Sequence, residues 1–131
     1  MEIPIGTKGR AEENVSDFRT AIAMQSGELP VYATPAMAAL MEKAAYTSIA
    51  PFLDNGKTSV GTMLNITHSA STPTGGAIRA EAEVTEVDGR RIAFSVKAFD
   101  SVGLIGEGTH ERFIVTAESF LAKSKKRAEG V

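Results

Sequence analysis

A single carboxylate stands in the most apolar stretch of the sequence. Glu42 and its neighbour Lys43 are the two charges in the segment from Ala36 to Tyr46, AMAALMEKAAY. The Glu42 side chain either reaches an edge and enters water or stays inside, where loss of solvent makes a carboxylate a usable base or nucleophile. The residue type and its surroundings therefore suggest acid/base or covalent chemistry, with a solvated charge as the alternative.

His68 and Thr34 are further candidates for proton transfer and ligand binding. His68 ends a strand face with an alternating pattern, formed by Val60, Thr62, Leu64 and Ile66. It is either a hydrogen-bonded histidine at the edge of the core or an acid/base group that titrates near working pH. Thr34 precedes Pro35, a pairing typical of a helix start, so its hydroxyl is expected to cap the helix and could also hold a ligand or a water.

The last strand candidate carries charge and glycine on one face. His110 and Arg112 share that face with Gly106 and Gly108. Glycines in a strand let another subunit or a ligand approach the backbone closely. Arg112 could bind a phosphate or carboxylate, whereas Glu111 is expected to be an ordinary charged strand end.

These residues need elements that position them, and the clearest is a helix. The Thr34-Pro35 start and the stop at Pro51 predict a helix from Pro35 to about Ala50. Because it is apolar nearly all round, it should be buried on most of its surface.

Strands make up most of the remainder. Asp88-Gly89 is a tight hairpin signal, and a short strand is predicted around Ser16 to Met24. A short helix is predicted from Ala117 to Ala128, with a basic end that we expect to be solvated. Period-2 patterns predict four longer strands, Thr58 to Ala70, Ala77 to Val87, Arg90 to Asp100 and Leu104 to Val115.

The order of strand, buried helix and four antiparallel strands predicts an α+β protein whose sheet wraps around the helix, the hotdog arrangement. We expect one domain over residues 1–131, with residues 1–13 and 124–131 loosely ordered. An open sheet edge favours pairing of two copies.

Composition excludes several classes of function. The net charge of -2 does not suit coating of nucleic acid or an anionic membrane. The chain has no cysteines and only two histidines, His68 and His110, so a zinc site is not expected. The sequence contains no P-loop and no GxSxG motif. Without a signal peptide or a long apolar run, the expected location is cytoplasmic.

Several short segments together resemble the fluoroacetyl-CoA thioesterase group of hotdog proteins. The resemblance covers about Val31 to Val115. It rests on Ala33-Thr34-Pro35, Leu40-Met41-Glu42, Val60-Gly61-Thr62, Asn65-Ile66-Thr67-His68, Glu86 to Arg91 and Ile105 to Phe113.

The resemblance implies a homodimer with active sites at the subunit interface. It implies an acyl-CoA hydrolase acting on a small acyl group, with no cofactor besides the coenzyme A of the substrate. It assigns catalytic roles to Thr34, Glu42 and His68, places Gly61 near the thioester carbonyl and makes Arg112 a binding residue. The family's aromatic lid has no counterpart between Met24 and Glu28, so the acyl group stays open.

Three alternatives to hydrolysis have distinct consequences. An acyl-CoA hydratase of the same fold would carry Asp and His close together, which the sequence lacks. A non-catalytic acyl-CoA binding or sensing module would bind CoA without releasing thiol. A purely structural dimer would bind no ligand. Spacing adds a constraint, because Thr34 and Glu42 would be about 12 Å apart along one ideal helix and could not touch. Either they address a ligand at different points, or the helix begins after Thr34, or the site combines residues from both subunits.

Overall fold

The fold is one antiparallel sheet packed on one helix, described here for residues 2–130 of a computed structural model. Met1 and Val131 lie outside the described residues. The sheet order is β1-β3-β4-β5-β2, which leaves β1 and β2 as the edges. The five strands are β1 (Lys8–Asn14), β2 (Lys57–His68), β3 (Ala77–Asp88), β4 (Arg91–Phe99) and β5 (Leu104–Thr116).

Helix α1 (Thr34–Ile49) lies against the inner face of the sheet and confirms the predicted buried helix. It begins one residue earlier than expected, and a short 3₁₀ turn at Ala50–Phe52 follows it. Small side chains let β1 approach α1, since a methyl group added at Gly9 would lie 2.1 Å from the Ala44 carbonyl oxygen. The helix side chains that are fully buried include Met37, Met41, Ala44, Ala45 and Ile49.

Alternating side chains of β3, β4 and β5 complete the core. They point one face at α1 and the other at solvent, as expected for an antiparallel sheet with one covered side. The result confirms the α+β hotdog arrangement predicted from the sequence. The sheet's contribution to the core includes Ile78, Ala80, Val84, Ile92, Phe94, Val96, Ile105 and Ile114.

The chain before α1 differs from its prediction. Strand β1 (Lys8–Asn14) pairs with β3, so part of the segment 1–13 that was expected to be loosely ordered is a strand. The strand predicted around Ser16 to Met24 is wrong. That segment contains a 3₁₀ turn at Asp17–Arg19 followed by further turns, and its apolar side chains are exposed rather than aligned on a buried face.

The C-terminal helix α2 (Ala117–Ala128) confirms the predicted short helix. It has no buried residues and contacts the sheet at β5. Helical structure therefore continues through much of the segment from residue 124 that was expected to be loosely ordered; Val131 lies outside the described residues.

Strand β2 has an irregularity next to Gly61. Gly61 pairs with Arg112 and Met63 pairs with Glu111, so Thr62 is an extra residue in the ladder. Such a bulge bends a strand and redirects its side chains. The alternating face predicted from Val60 to His68 therefore holds from Leu64 onward, while Thr62 is exposed.

Candidate active site

The Glu42 carboxylate lies over the sheet rather than pointing only to solvent. Its Oε2 atom is 3.8 Å from Nη1 of Arg112, and its side chain is 41% exposed. The third turn of α1 places it directly opposite the bulged part of β2. The approach is close, since a methyl group built on Gly61 would lie 2.8 Å from Oε2. Glycine at position 61 is what allows this carboxylate to approach the strand backbone.

Arg112 is held in place from several sides. Its Nε donates to the Ser59 hydroxyl at 2.8 Å, and its Nη2 donates to the Ser59 carbonyl at 3.0 Å. The guanidinium also lies 5.6 Å from the centre of the Tyr46 ring. The arginine is therefore a fixed cation beside Glu42, with most of its donors used by the protein.

Thr34 and His68 form a second group. The Thr34 hydroxyl and Nδ1 of His68 are 2.8 Å apart, a hydrogen bond that joins the start of α1 to the end of β2. The helix cap is Ala33, with no side-chain hydrogen bond, so the predicted capping role of Thr34 is wrong. Its hydroxyl faces the imidazole instead and orients that ring.

His68 has one nitrogen without a partner. Its Nε2 atom is buried and makes no hydrogen bond within residues 2–130. Burial lowers the pKa of His68 below its ordinary value, so the ring is neutral at neutral pH. Unpaired buried polar atoms are rare and often have a functional cause. A neutral imidazole with a free nitrogen can take or give a proton.

A buried tyrosine lies behind His68, and the sequence did not single it out. The Tyr32 ring meets the imidazole edge-on, with 6.3 Å between ring centres. Its hydroxyl donates to Glu13 at 2.7 Å, and Glu13 pairs with Arg19 at 3.2 Å. No local sequence pattern points to the contact between Tyr32 and Glu13, because these residues are 19 positions apart.

An open cleft of about 430 Å³ adjoins this second group. Its walls are mainly small side chains, so it offers room beside the hydroxyl and the imidazole. The residues that line it are Ala21, Ser26, Val31, Tyr32, Thr34 and the segment from His68 to Ser71.

The two groups do not meet within one chain. Gly61 and His68 are seven positions apart on β2, which corresponds to about 20 Å along a strand. Thr34 and Glu42 are separated by about 12 Å along α1. The structure thus brings Glu42, Gly61 and Arg112 together, brings Thr34 and His68 together, and keeps the two sets apart.

The glycines of β5 serve the sheet itself. A methyl group on Gly108 would lie 2.0 Å from the Asn65 carbonyl oxygen, and one on Gly106 would lie 2.6 Å from that of Thr67. The close neighbour is therefore strand β2, together with Met37 at Gly106. The sequence predicted a close approach by another subunit or a ligand; the close approach seen in the structure is instead made by β2 and Met37.

Residues 2–130 contain neither a metal-binding cluster nor a membrane-spanning helix. There is no group of three or more His, Cys, Asp or Glu side chains arranged to hold a metal ion. None of the described helices is long and apolar enough to cross a membrane.

Comparisons with known proteins agree on one family. The model of the fluoroacetyl-CoA-specific thioesterase family, FlK, matches residues 15–118. The fluoroacetyl-CoA thioesterase of Streptantibioticus cattleyicolor is 43% identical over 97 residues, which are 74% of this chain and 70% of that protein.

Solved structures extend the similarity to nearly the whole chain. A structure of the fluoroacetyl-CoA thioesterase FlK superposes with a TM-score of 0.90 at 36% identity, covering 96% of this chain and 98% of that one. A hot-dog-like protein from Thermanaerovibrio acidaminovorans gives 0.86 at 26% identity, covering 95% and 93%. The chain therefore belongs to the fluoroacetyl-CoA-specific thioesterase family of hotdog proteins and is an acyl-CoA thioester hydrolase.

Proposed function

We propose that this protein hydrolyses CoA thioesters of small acyl groups at a site assembled from two copies of its single domain. One copy supplies Glu42, Gly61 and Arg112, and the other supplies Thr34 and His68. The observation that carries the proposal is the separation of these two groups along edge strand β2, each incomplete by itself.

Pairing of two β2 strands would bring the groups together. An edge strand has unpaired backbone groups along one side, and symmetric dimers use the same surface on both subunits. In an antiparallel pair centred between Leu64 and Asn65, Gly61 lies across from His68 of the partner subunit. Glu42, which sits over Gly61, then faces the partner's imidazole, and the unpaired Nε2 of His68 gains a neighbour.

Each side chain then has a role that suits its surroundings. Glu42 attacks the thioester carbonyl or takes a proton from the attacking water, and the Gly61 N–H stabilises the developing oxyanion. The C–S bond breaks as the thiolate leaves. In the water route, His68 passes the proton that Glu42 took from the attacking water to the thiolate sulfur. In the covalent route, His68 takes a proton from the water that then cleaves the acyl–Glu42 anhydride and gives that proton to the thiolate, so the free acid, the free thiol and the Glu42 carboxylate remain. Thr34 orients His68 through the hydrogen bond at 2.8 Å. Arg112 holds Glu42 in place or binds ligand charge.

The choice of a small acyl group rests on the family. The family model that matches is described as specific for fluoroacetyl-CoA, and the open cleft next to Thr34 and His68 has room for such a group. Coenzyme A enters as part of the substrate, and the proposed chemistry needs no further cofactor.

The test is a panel of acetyl-, fluoroacetyl-, propionyl- and butyryl-CoA with detection of free thiol. The Glu42→Gln and His68→Ala variants should each lose at least about 100-fold in kcat. Lys43→Ala is the matched control, because Lys43 is the exposed neighbour of Glu42 on the same helix. Saturable CoA binding without thiol release, or unchanged rates in folded Glu42 and His68 variants, would contradict the proposal.

A further inference from the structure

The most deeply buried histidine has no part in the chemistry described so far. His110 is 0% exposed, and its ring stacks on Phe94 with 5.7 Å between ring centres and 27° between planes. A polar side chain buried to this degree is expected to use its hydrogen-bonding groups. His110 uses both ring nitrogens.

The partners of His110 fix its tautomer. Nδ1 lies 2.8 Å from the Met63 carbonyl oxygen, and because a carbonyl can only accept, Nδ1 must carry the proton. Nε2 lies 3.2 Å from Nη1 of Arg112. A guanidinium can only donate, so Nε2 must be the bare acceptor. Burial lowers the pKa of His110, and the Arg112 cation lowers it further.

These two bonds join the bulge of β2 to the arginine. Met63 follows the extra residue of the bulge, and a methyl group on Gly61 would lie 3.4 Å from both the His110 ring and the Arg112 guanidinium. The imidazole therefore lies beneath Gly61. Its ring contacts the Met63 carbonyl oxygen of β2 on one side and Nη1 of Arg112 on the other. Nη1 also lies 3.8 Å from Oε2 of Glu42.

We propose that His110 is a positioning residue, whose neutral ring aims Nη1 of Arg112 at Glu42 while holding the Met63 carbonyl and the bulge at Gly61. It touches neither substrate nor the reacting atoms and acts through Arg112. The inference rests on the proposed function, in which Glu42 and Gly61 act on the thioester.

The first test is nuclear magnetic resonance of the unmodified protein labelled with ¹⁵N-histidine. With only two histidines in the chain, the ring signals can be assigned through His68 variants. At neutral pH, His110 should be neutral, with a protonated Nδ1 and a bare Nε2. A protonated Nε2, in either the other tautomer or an imidazolium, would overturn the proposal without any measurement of activity.

The second test separates the two nitrogens by substitution. In His110→Asn the amide can replace the Nδ1 donor but does not reach Arg112, whereas in His110→Gln the amide oxygen can replace the Nε2 acceptor. We expect the Asn variant to lose about tenfold or more in kcat with KM within about twofold, and the Gln variant to recover most of the loss. Thr109→Asn, on the opposite face of β5, is the control. Equal losses in the Asn and Gln variants would contradict a role exerted through Arg112.

The third test is coupling. If His110 acts through Arg112, the double variant His110→Asn/Arg112→Ala should be no slower than Arg112→Ala alone, whereas independent effects would multiply. Glu42→Gln is measured alongside. If Glu42→Gln loses turnover but the His110 and Arg112 effects multiply, the positioning role of His110 is refuted and the proposed site stands. Unchanged turnover in Glu42→Gln refutes the proposed site itself.

Discussion

At the scale of single residues, the contacts of Glu42 are what support its place in the proposed site. Its carboxylate meets the Arg112 guanidinium and the backbone of Gly61, although its side chain is partly exposed. The lone carboxylate in an apolar helix was recognisable from the sequence. Its partners were not, because they depend on a bulge in β2 that no local pattern predicted.

The glycine beneath Glu42 gives a residue-level prediction. In Gly61→Ala the new methyl group would lie 2.8 Å from Oε2 of Glu42, so the flexible carboxylate must move away. We expect kcat to fall about tenfold or more, while the free energy of unfolding in urea changes by less than about 1 kcal/mol. Thr62→Ala, the adjacent exposed position, serves as the control. Full turnover in Gly61→Ala would show that the carboxylate does not need this approach.

The two histidines predict how stability depends on pH. Burial lowers the pKa of His68 and of His110 in the folded protein. Between the unfolded value of about 6.5 and the folded values, the unfolded state binds more protons, so stability must decrease as pH falls. Urea unfolding at pH values of about 7.5 and 5.5 measures this, and the decrease should be smaller in His68→Gln and His110→Gln. Stability that is constant or rises on acidification would contradict the burial of both rings.

At the scale of elements, the sequence predicted those with strong local signals. Helix α1 had Thr34-Pro35 at its start and Pro51 after its end, and the β3–β4 hairpin had Asp88-Gly89. Strand β1 was missed because Gly9 and Ala11 face the helix, and side chains so small leave no apolar alternation. The segment from Ser16 to Met24 was wrongly predicted to be a strand, because its large apolar side chains suggested a buried face but are exposed in the structure.

Strands β2 and β5 depend on a glycine for their close pairing. A methyl group on Gly108 would lie 2.0 Å from the Asn65 carbonyl oxygen and 2.7 Å from Cα of Ile66. Backbone atoms cannot move aside as a side chain can, so Gly108→Ala should cost about 2 kcal/mol or more. Urea unfolding measures the loss, with Thr109→Ala on the opposite face as control. A cost equal to that of the control would mean that the two strands have room to separate.

At the scale of the whole molecule, the arrangement of the two groups of site residues is the main result. Resemblance to a family pointed to Thr34, Glu42, His68, Gly61 and Arg112 in the sequence, but spacing along the chain could not say which of them meet. In the structure, Thr34 contacts His68 and Glu42 contacts Arg112. The distance of about 20 Å between the groups along β2 is the physical reason for proposing that a second copy completes each site.

The most direct test of that central claim is complementation between two inactive variants. Glu42→Gln and His68→Ala are unfolded together, refolded as an equal mixture and assayed for thiol release from acyl-CoA. In a mixed dimer, one site carries both substitutions and the other carries neither. Half of the dimers are mixed and each has one intact site, so activity should return to about a quarter of the unmodified level. A mixture no more active than its two components would contradict the shared site.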